Sequence, residues 1–551
     1  MGKKIIGNLS GLKASQIKDM EDLFHFRTPP EFLITEQQIL ELTSISHEIK
    51  RQIGLLIDRN GKTSHVIAGD AHRIVIPVTP DHMALPGKLK GLRCIHTHLK
   101  NEPLTRDDLT DLALLRLDYM AAVSIDDNGY PLKIYSSHIL PAAQGNPHAI
   151  LKPFFINDLN IDCLNQIHSI ENELSSKSTL YKADKGVEKA LLINVTTENS
   201  KNALASLEEL KELCKTSKIN VINSVVQRRK KIDSKFVVGK GKLTDITIKA
   251  IQQYATMLIF DQELTPSQIR SITNFVEMKV IDRTQLILDI FAKQAKSHEG
   301  KLQVELAQMQ YLLPRLATKN TAMSRLTGGI GGRGPGETKL EINRRRVRDK
   351  ITKLKKDIKK IRSQRSQQRA KRQKHNLPVI SIVGYTNAGK STLLNSLTKS
   401  KILVANKLFA TLDPSSRKLR FPKDTEAIIT DTVGFIQNLP KELMEAFHAT
   451  LEELEHANVI LHVIDISNPR YKQQMQSVEE ILNKLELATT PVINVFNKMD
   501  KIVLKDLNNT WELNQGILIS ATQKKSLTAL VSKLESVIEK VSIKTKNNNK
   551  F

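Results

Sequence analysis

The segment LPVISIVGYTNAGKST (377–392) restricts the fold more than any other part of the sequence. It reads as an apolar strand, a loop with two glycines and the start of a helix. The loop GYTNAGKS (384–391) matches the pattern G-x-x-x-x-G-K-[ST], whose backbone N–H groups surround phosphates at a helix N-terminus. The sequence therefore predicts an α/β domain with a phosphate site at the carboxyl edge of its sheet.

Individual residues of this loop have separate predicted contacts. Gly384 and Gly389 let the backbone close around the phosphates, and Lys390 reaches the β- and γ-phosphates. The hydroxyl of Ser391 coordinates Mg²⁺. The nucleotide-binding residues predicted in this segment are Gly384, Tyr385, Thr386, Asn387, Ala388, Gly389, Lys390, Ser391 and Thr392.

Two later motifs predict that the base is guanine. In NKMD (497–500), which follows an apolar strand, the Asp500 carboxylate can accept two hydrogen bonds from guanine, and adenine offers no such pair of donors. Lys498 can cover the base or the ribose. SAT (520–522) matches the last guanine-contacting loop, with the Ala521 N–H facing the base. The predicted base-site residues are Asn497, Lys498, Asp500, Ser520, Ala521 and Thr522.

Two segments between these motifs predict how the γ-phosphate is sensed. DTVG (431–434) places Asp431 to hold Mg²⁺ through a water and the Gly434 N–H to meet the phosphate. In FATLDP (409–414), Thr411 is the candidate switch threonine for Mg²⁺ and phosphate, or else a threonine that caps a turn. Phe435 cannot orient a water, so we expect slow intrinsic hydrolysis that a partner accelerates. The predicted catalytic residues are Lys390, Thr411, Gly434 and Phe435.

Charge predicts a polyanionic partner. The 551 residues contain 83 Lys and Arg against 58 Asp and Glu, a net charge of +25. Residues 344–374 alone contain sixteen basic and two acidic residues. No aromatic residue interrupts them, so phosphate contact is favoured over base stacking. The alternative, a solvated helix face, is disfavoured because like charges four residues apart repel each other.

The same region has the pattern of two packed helices. Apolar residues with 4-3-4-3 spacing occur at 302, 306, 309, 313 and 316 and again at 347, 351, 354, 358 and 361. This 3.5-residue period predicts an antiparallel helical hairpin. The segment GGIGGRGPGE (328–337) between them excludes a helix and would form the tip.

Residues before the hairpin alternate between strand-like and helix-like segments. The predicted elements of the first part are a β-hairpin over 53–69, strands over 73–78 and 91–99, a helix over 104–118 and a polar linker at 175–184. The second part has predicted strands at 190–196, 219–227 and 256–261 and helices at 203–216 and 243–254, which indicates a small parallel sheet.

These patterns predict a multidomain α/β protein. The predicted domains are an N-terminal α+β extension (1–180), a small parallel α/β domain (188–285), a helical hairpin with a glycine-rich tip (286–374), a P-loop G domain (376–543) and a disordered tail (544–551).

Six segments of the chain resemble the HflX family of translation-associated GTPases. They are FVVGKGKL, IFDQELTPSQIR, VIDRTQLILDIFA, KLQVELAQMQYLLPRL, GGIGGRGPGETKLE and DTVGFIQNLP, and the similarity covers about 189–541. The resemblance implies GTP hydrolysis with Mg²⁺, binding to the large ribosomal subunit and its RNA, and splitting or rescue of stalled ribosomes. It also implies that the tip (328–336), with Arg333, reaches into ribosomal RNA; the alternative is a flexible turn.

The N-terminal extension contains a candidate metal site. His96 and His98 project from the same face of a predicted strand, and Asp108 follows ten residues later. Together with Thr105 they resemble the JAB/MPN metalloprotease-like pattern, although the spacer is one residue short and Leu99 and Thr105 replace Pro and Ser. Zinc is the expected metal and Glu48 the nearest candidate base. The alternative is a structural histidine pair.

Other features narrow the class of protein. No run of 18 apolar residues indicates a membrane span, and the first residues lack the apolar segment of a secretory signal. Three separated cysteines predict no disulfide framework, so we expect a cytoplasmic protein. We also expect the protein to be monomeric. Two other functions stay open, namely a GTPase for ribosome-assembly intermediates or other RNA and a metal-dependent hydrolase regulated by the G domain. The GKGK segment (239–242) could help bind ATP, but a surface loop is favoured.

Overall fold

A computed structural model shows the architecture of the chain. It describes residues 5–76, 88–140, 147–158, 162–182, 188–197, 200–276, 278–316, 339–373, 377–398, 415–422, 425–431, 434–435, 443, 454–455, 457–485, 487, 490–502 and 516–548. These residues form three sheets and thirteen helices, so the multidomain α/β prediction is confirmed. No helix among them is long and apolar enough to cross a bilayer.

The chain divides into two compact units. The first contains residues 1–204, 219–260 and 271–281, and the second contains residues 205–218, 261–270 and 282–551.

A seven-stranded mixed sheet forms the first part of unit one, in the order β1-β3-β2-β4-β5-β6-β7. Its strands are β1 (Ile5–Gly7), β2 (Ile53–Asp58), β3 (Thr63–Ala68), β4 (Leu92–His98), β5 (Tyr119–Ile125), β6 (Pro131–Ile139) and β7 (His148–Ile150). Strands β2 and β3 pair antiparallel, which confirms the hairpin predicted over 53–69. Strand β4 pairs antiparallel with β2 and parallel with β5, and it is buried along its whole length.

Four helices accompany this sheet, and apolar side chains fill two separate cores around it. They are α1 (Ala14–Asp22), α2 (Glu36–Ile49), α3 (Arg106–Leu115) and α4 (Cys163–Lys182). Helix α3 confirms the helix predicted within 104–118. It begins after Thr105, whose hydroxyl accepts a hydrogen bond from the Asp108 N–H.

Two predictions for this region are wrong. The strand predicted at 73–78 does not form over 73–76, the part that the structure describes. Asp70 accepts hydrogen bonds from the N–H groups of His72 and Arg73, which turns the backbone there, and Ile74 instead packs into a core. The polar linker predicted at 175–184 is helical as far as Lys182, because it contains no Gly or Pro to end α4.

A four-stranded sheet completes the first unit, in the order β11-β10-β8-β9. The strands are β8 (Lys189–Thr196), β9 (Asn220–Arg228), β10 (Met257–Phe260) and β11 (Lys279–Asp282). Strand β8 pairs parallel with both β9 and β10, as predicted. Helix α6 (Lys240–Gln252) begins inside the GKGK segment, which is therefore not a surface loop; Gly239, with φ +85°, permits the turn into the helix.

The second unit contains two long helices that pack along each other. Its helical part comprises most of α5 (Ser200–Thr216) and α7 (Pro266–Thr273), with α8 (Arg283–Gln294), α9 (His298–Leu316) and α10 (Lys339–Gln373). The apolar part of the α9–α10 contact comprises Leu302, Leu306, Met309, Ile351, Leu354 and Ile358, all predicted seam residues. With 35 residues, α10 is ~52 Å long. The predicted tip, with Arg333, lies outside the described residues.

A six-stranded sheet forms the rest of the second unit, in the order β13-β14-β12-β15-β16-β17. Its strands are β12 (Val379–Gly384), β13 (Ser415–Arg420), β14 (Glu426–Asp431), β15 (Val459–Asp465), β16 (Val492–Asn497) and β17 (Gly516–Leu518). All pairs are parallel except β13 with β14. The helices are α11 (Lys390–Thr398), α12 (Tyr471–Lys484) and α13 (Thr528–Asn548), so helix extends into the tail that we expected to be disordered, where no Gly or Pro ends it.

Candidate functional site

The predicted phosphate, magnesium and guanine motifs meet at one edge of the six-stranded sheet. Strand β12 ends at Gly384, β14 at Asp431 and β16 at Asn497, and Ser520 follows shortly after β17. Because these strands are parallel, their carboxyl ends lie at the same edge. The sequence motifs are therefore brought together as predicted, while Thr411 lies outside the described residues.

Two glycines of the phosphate loop are required by its backbone. Gly384 has φ +152°, and a Cβ there would lie 2.2 Å from the carbonyl oxygen of Val463. Gly389 has φ +96°, and its Cβ would lie 2.3 Å from the side-chain nitrogen of Asn497. A side chain at either position would collide with atoms that build the site, so the loop depends on both glycines.

Lys390 is the first residue of α11 and is 93% buried, since its exposed fraction is 7%. Its Nζ donates hydrogen bonds to the carbonyl oxygens of Gly384 (3.1 Å) and Tyr385 (2.8 Å). Burial lowers the pKa of Lys390 to about 8, because the charged form loses hydration. The ammonium group is thus held over the loop that the sequence predicted for phosphates.

Ser391 and Asp431 are brought together beside this lysine. The Ser391 hydroxyl donates to Asp431 Oδ2 at 2.7 Å, although 40 residues separate them in the sequence. Both groups offer oxygen atoms, which are the ligands that Mg²⁺ takes in proteins. The remaining loop residues differ in exposure: Thr386 and Ala388 are buried, Ser391 and Thr392 are half-buried, and Asn387 is exposed with φ +63°.

Phe435 pairs with the phosphate loop through its backbone. Its N–H donates to Gly384 (3.1 Å) and its carbonyl accepts from Thr386 (2.8 Å), which forms a parallel bridge to Tyr385. Its ring lies in an apolar core, so only the backbone of this predicted catalytic residue reaches the site. Gly434 precedes it, and a Cβ there would lie 3.0 Å from Lys390 Nζ.

Asn497 connects the phosphate loop to the guanine loop. Its side-chain nitrogen donates to the Ala388 carbonyl at 2.8 Å, and its side-chain oxygen accepts from the Ala521 N–H at 2.9 Å. The SAT motif predicted that the Ala521 N–H faces the base, but in the structure this N–H donates to the side-chain oxygen of Asn497. The motif spacing alone could not show this, because it says nothing about which groups pair within the protein.

One of the predicted base-site residues, Lys498, pairs with a residue that the sequence motifs did not name. Lys498 Nζ donates to Asp465 Oδ2 at 2.6 Å, and Asp465 is the last residue of β15. An acidic residue at a strand's carboxyl end on this edge was the available signal. Asp500 is exposed, and the hydroxyls of Ser520 and Thr522 lie 2.9 Å apart.

A second cluster lies in the first unit, where β4 and α3 bring together the predicted metal ligands. One donor atom each from His96, His98 and Asp108 lies within 4.8 Å of the others. The two histidine Nε2 atoms are 3.0 Å apart, and they lie 3.3 and 3.5 Å from the Asp108 carboxylate. His98 Nδ1 faces the Glu102 carbonyl at 3.1 Å, a contact that directs the Nε2 lone pair towards the cluster.

The pKa values of the three side chains in this cluster are shifted in different directions. Although burial would raise it, hydrogen bonds with His96 and His98 hold the pKa of Asp108 well below its usual range. Burial lowers the pKa of His96, which disfavours its protonated form. For His98 burial acts in the same direction, but hydrogen bonds with Asp108 and Glu102 outweigh it and raise the pKa.

Two observations limit what this cluster can do. Asp108 also accepts hydrogen bonds from the Thr105 N–H and hydroxyl, both at 2.7 Å, so it stabilises the start of α3. Glu48, the nearest candidate base in the sequence, is exposed and accepts a hydrogen bond from Gln16. The structure thus brings the three candidate ligands together but does not support Glu48 as a base beside them.

Comparison with known families gives consecutive matches from residue 204 onwards. The models described as GTP-binding GTPase N-terminal, GTP-binding GTPase Middle Region and 50S ribosome-binding GTPase match residues 204–292, 294–372 and 379–498. A crystal structure of a GTP-binding protein from Sulfolobus solfataricus in complex with GDP is 25% identical, with a TM-score of 0.36, and the match covers 64% of this chain and 100% of that chain.

Several curated relatives of the chain are named GTPase HflX. GTPase HflX of Caldanaerobacter subterraneus is 46% identical over 348 residues, which are 63% of this chain and 80% of that protein. GTPase HflX of Escherichia coli is 41% identical (57% and 74%), and that of Flavobacterium psychrophilum is 38% identical (66% and 94%). With these relatives, and with the glycine loop, lysine and guanine motifs gathered at one sheet edge, the chain belongs to the HflX family of GTP-hydrolysing enzymes.

Proposed function

We propose that this GTPase is a translation factor that binds the large ribosomal subunit and splits or rescues stalled ribosomes, with hydrolysis stimulated by the ribosome. The observation that carries the proposal is the basic face of α10 in a chain that also builds a guanine-nucleotide site. Family membership supports it, since one matching domain model is described as a 50S ribosome-binding GTPase.

The nucleotide would be held by the residues at the sheet edge. We assign the backbone of 384–389 to the phosphates, Lys390 to the β- and γ-phosphates, and the Gly434 N–H to the γ-phosphate. Asp500 is assigned to the guanine, which its exposed carboxylate can reach. Asn497 is assigned a supporting role, because both ends of its amide bond to the protein backbone.

Magnesium fits the same edge. The Ser391 hydroxyl and the Asp431 carboxylate are 2.7 Å apart next to the buried Lys390, and both are oxygen donors. A bound Mg²⁺ would neutralise charge on the β- and γ-phosphates. Ser391 would contact the ion directly and Asp431 through a water, with Thr411 as the proposed third protein group.

Helix α10 supplies the proposed RNA surface. Its apolar side packs on α9, where Lys350 also pairs with Glu305, and many of its other basic side chains are exposed. Among the residues of α10 whose exposure the structure describes, the exposed basic ones are Arg345, Arg346, Arg348, Lys350, Lys353, Lys355, Lys356, Lys359 and Lys360. RNA duplexes offer dense phosphates that proteins contact by shape and charge rather than by base sequence. A rigid helix lined with lysine and arginine suits such a surface.

Steady-state hydrolysis of GTP tests the proposed function. We expect a slow basal rate for the purified chain, because Phe435 cannot orient water, and a rise of at least about tenfold when large ribosomal subunits are added. Sedimentation of intact ribosomes with protein and GTP should show dissociation into subunits.

Other results would point to other functions. Stimulation by naked RNA but not by subunits would indicate assembly intermediates or free RNA as the target. A basal rate that is already fast, or that ignores ribosomes, would contradict a ribosome-triggered GTPase and show that the chain itself positions the water.

We further propose that His96, His98 and Asp108 hold a zinc ion that ties β4 to α3. The donor set, two imidazoles and one carboxylate, suits zinc, and the three donor atoms already converge within 4.8 Å. The ion would offset the Asp108 charge and the close approach of the two Nε2 atoms. A structural role is favoured over hydrolysis because Glu48 faces elsewhere.

Metal content of the purified full-length chain tests this site. We expect about one zinc per chain, lost in His98→Ala and Asp108→Asn but kept in His25→Ala, which removes an exposed histidine elsewhere. Zinc absent from the native chain, or retained by His98→Ala, would leave a structural histidine pair as the explanation. Peptidase or isopeptidase activity lost in His98→Ala would instead favour the metal-dependent hydrolase.

A further inference from the structure

A buried ion cluster in the second unit touches the phosphate loop. Arg283, the first residue of α8, is 4% exposed and donates to Glu209 Oε1 at 2.7 Å and to Asp261 Oδ1 at 2.9 Å. Asp261 also accepts from the Ser206 hydroxyl at 2.6 Å. Burial alone would lower the pKa of Arg283, but Glu209 and Asp261 outweigh it and raise the pKa. The cluster is therefore charged and closely bonded.

Tyr385, the second residue of the phosphate loop, joins this cluster. Its hydroxyl donates to Glu209 Oε1 at 2.8 Å, the same oxygen that accepts from Arg283. Both Tyr385 and Glu209 are buried, with exposed fractions of 6% and 8%. A hydrogen bond to a charged, buried carboxylate is among the stronger ones in proteins. It joins Tyr385 to α5 through the side-chain hydroxyl, whereas the backbone of Tyr385 bonds to Lys390 and pairs with Phe435.

The backbone of the same tyrosine is paired with the segment that carries Gly434. Tyr385 and Phe435 form a parallel bridge, and the Tyr385 carbonyl accepts from Lys390 Nζ. Gly434 lies so close to this lysine that a Cβ would be 3.0 Å from Nζ. The position of Tyr385 thus influences both the lysine and the N–H assigned to the γ-phosphate.

We propose that Tyr385 is a positioning residue through which the Arg283 cluster holds the Gly434 segment ready for a γ-phosphate. The inference rests on the proposed nucleotide assignment. GTP has a γ-phosphate that would meet the Gly434 N–H, and GDP has none. Loss of the Tyr385 hydroxyl therefore weakens GTP binding more than GDP binding. The cluster thereby favours the triphosphate form.

The test is the ratio of affinities for a non-hydrolysable GTP analogue and for GDP. Tyr385→Phe should reduce the preference for the GTP analogue about three- to tenfold. This is less than the roughly tenfold or more that full loss of a hydrogen bond to a charged group gives, because only the part that reaches the Gly434 segment distinguishes the two nucleotides. Tyr311→Phe is the matched control, because its hydroxyl donates to the buried carboxylate of Asp282 at the same 2.8 Å and its exposed fraction is 5%. Tyr311 lies on α9 and not in the phosphate loop. That variant should leave the ratio unchanged.

A second variant tests whether Tyr385 acts through its hydrogen bond to Glu209. Glu209→Gln removes the charge that joins Tyr385 to Arg283, and we expect a reduced ratio that does not fall further when Tyr385→Phe is added. An unchanged ratio in Tyr385→Phe, with thermal destabilisation equal to that of Tyr311→Phe, would show that the tyrosine only packs. Additive effects of the two changes would also overturn the proposal. If the native chain bound neither nucleotide, the proposed function itself would fail.

Discussion

Lys390→Ala should weaken GTP binding by at least about a hundredfold, since hydrogen bonds to charged groups contribute about 1.5–3 kcal/mol each and 1.4 kcal/mol is a factor of ten. The lysine is held over the phosphate loop by two carbonyl oxygens, and alanine removes the charge without blocking the loop. Equilibrium titration with a fluorescent GTP analogue measures the change.

A surface lysine provides the control for this experiment. Lys418 on β13 is exposed and pairs with Glu426 on the neighbouring strand, so Lys418→Ala should not alter the affinity. Thermal unfolding of Lys390→Ala shows whether the domain remains folded. Folded protein with native affinity for GTP would mean that Lys390 does not contact the phosphates, and the site assignment would then be wrong.

Charge reversal on α10 should strongly weaken binding to large ribosomal subunits. Lys353→Glu, Lys356→Glu and Lys360→Glu change three exposed residues on the side of the helix away from α9. If each lysine contacts a phosphate, the triple variant loses affinity for large subunits by about 10–100-fold. The slope of log affinity against log salt should also fall by about two to three, because fewer counterions are released.

The control variant has the same net charge as the α10 variant but carries its three changes in another part of the chain. Lys18→Glu, Lys62→Glu and Lys152→Glu alter three exposed lysines of the N-terminal part and should leave both affinity and salt slope close to native values. GTP affinity should be unaffected in both triple variants. An unaltered salt slope in the α10 variant would show that the RNA surface lies elsewhere.

Motif order predicted the nucleotide site because each motif follows a strand. Gly384, Asp431 and Asn497 end three parallel strands, and parallel strands place their carboxyl ends at one edge. A different rule, the alternation of side chains along a strand, predicted that His96 and His98 share one strand face. Their meeting with Asp108 confirms the placement of these residues, while the metal itself stays a prediction.

Pairing between distant side chains could not be predicted in this way. The bond from Tyr385 to Glu209 spans 176 residues, and neither residue belongs to a pattern that names its partner. Asn497 was expected at the base, yet both ends of its amide bond to the backbone of two loops. Local patterns fix which edge a residue occupies, whereas burial and hydrogen-bond competition decide which atoms it pairs with.

The predicted bounds of strands and helices were wrong where tertiary contacts outweighed the local composition. The apolar residues at 74–76 have the composition of a strand, but Asp70 turns the chain just before them. Ile74 contributes to the core without joining the sheet. Polar residues after Ser175 suggested a linker, but they are compatible with helix and extend α4.

The two hydrogen bonds of Asn497 have a consequence for engineering nucleotide preference. One amide connects the loop assigned to the phosphates with the loop assigned to the base, and its nitrogen fills the space that a Cβ at Gly389 would need. Redesign of base selectivity is therefore not modular in this domain. Any change that shifts this amide also alters the shape of the loop assigned to the phosphates. Selectivity for the base and affinity for the triphosphate therefore have to be optimised together.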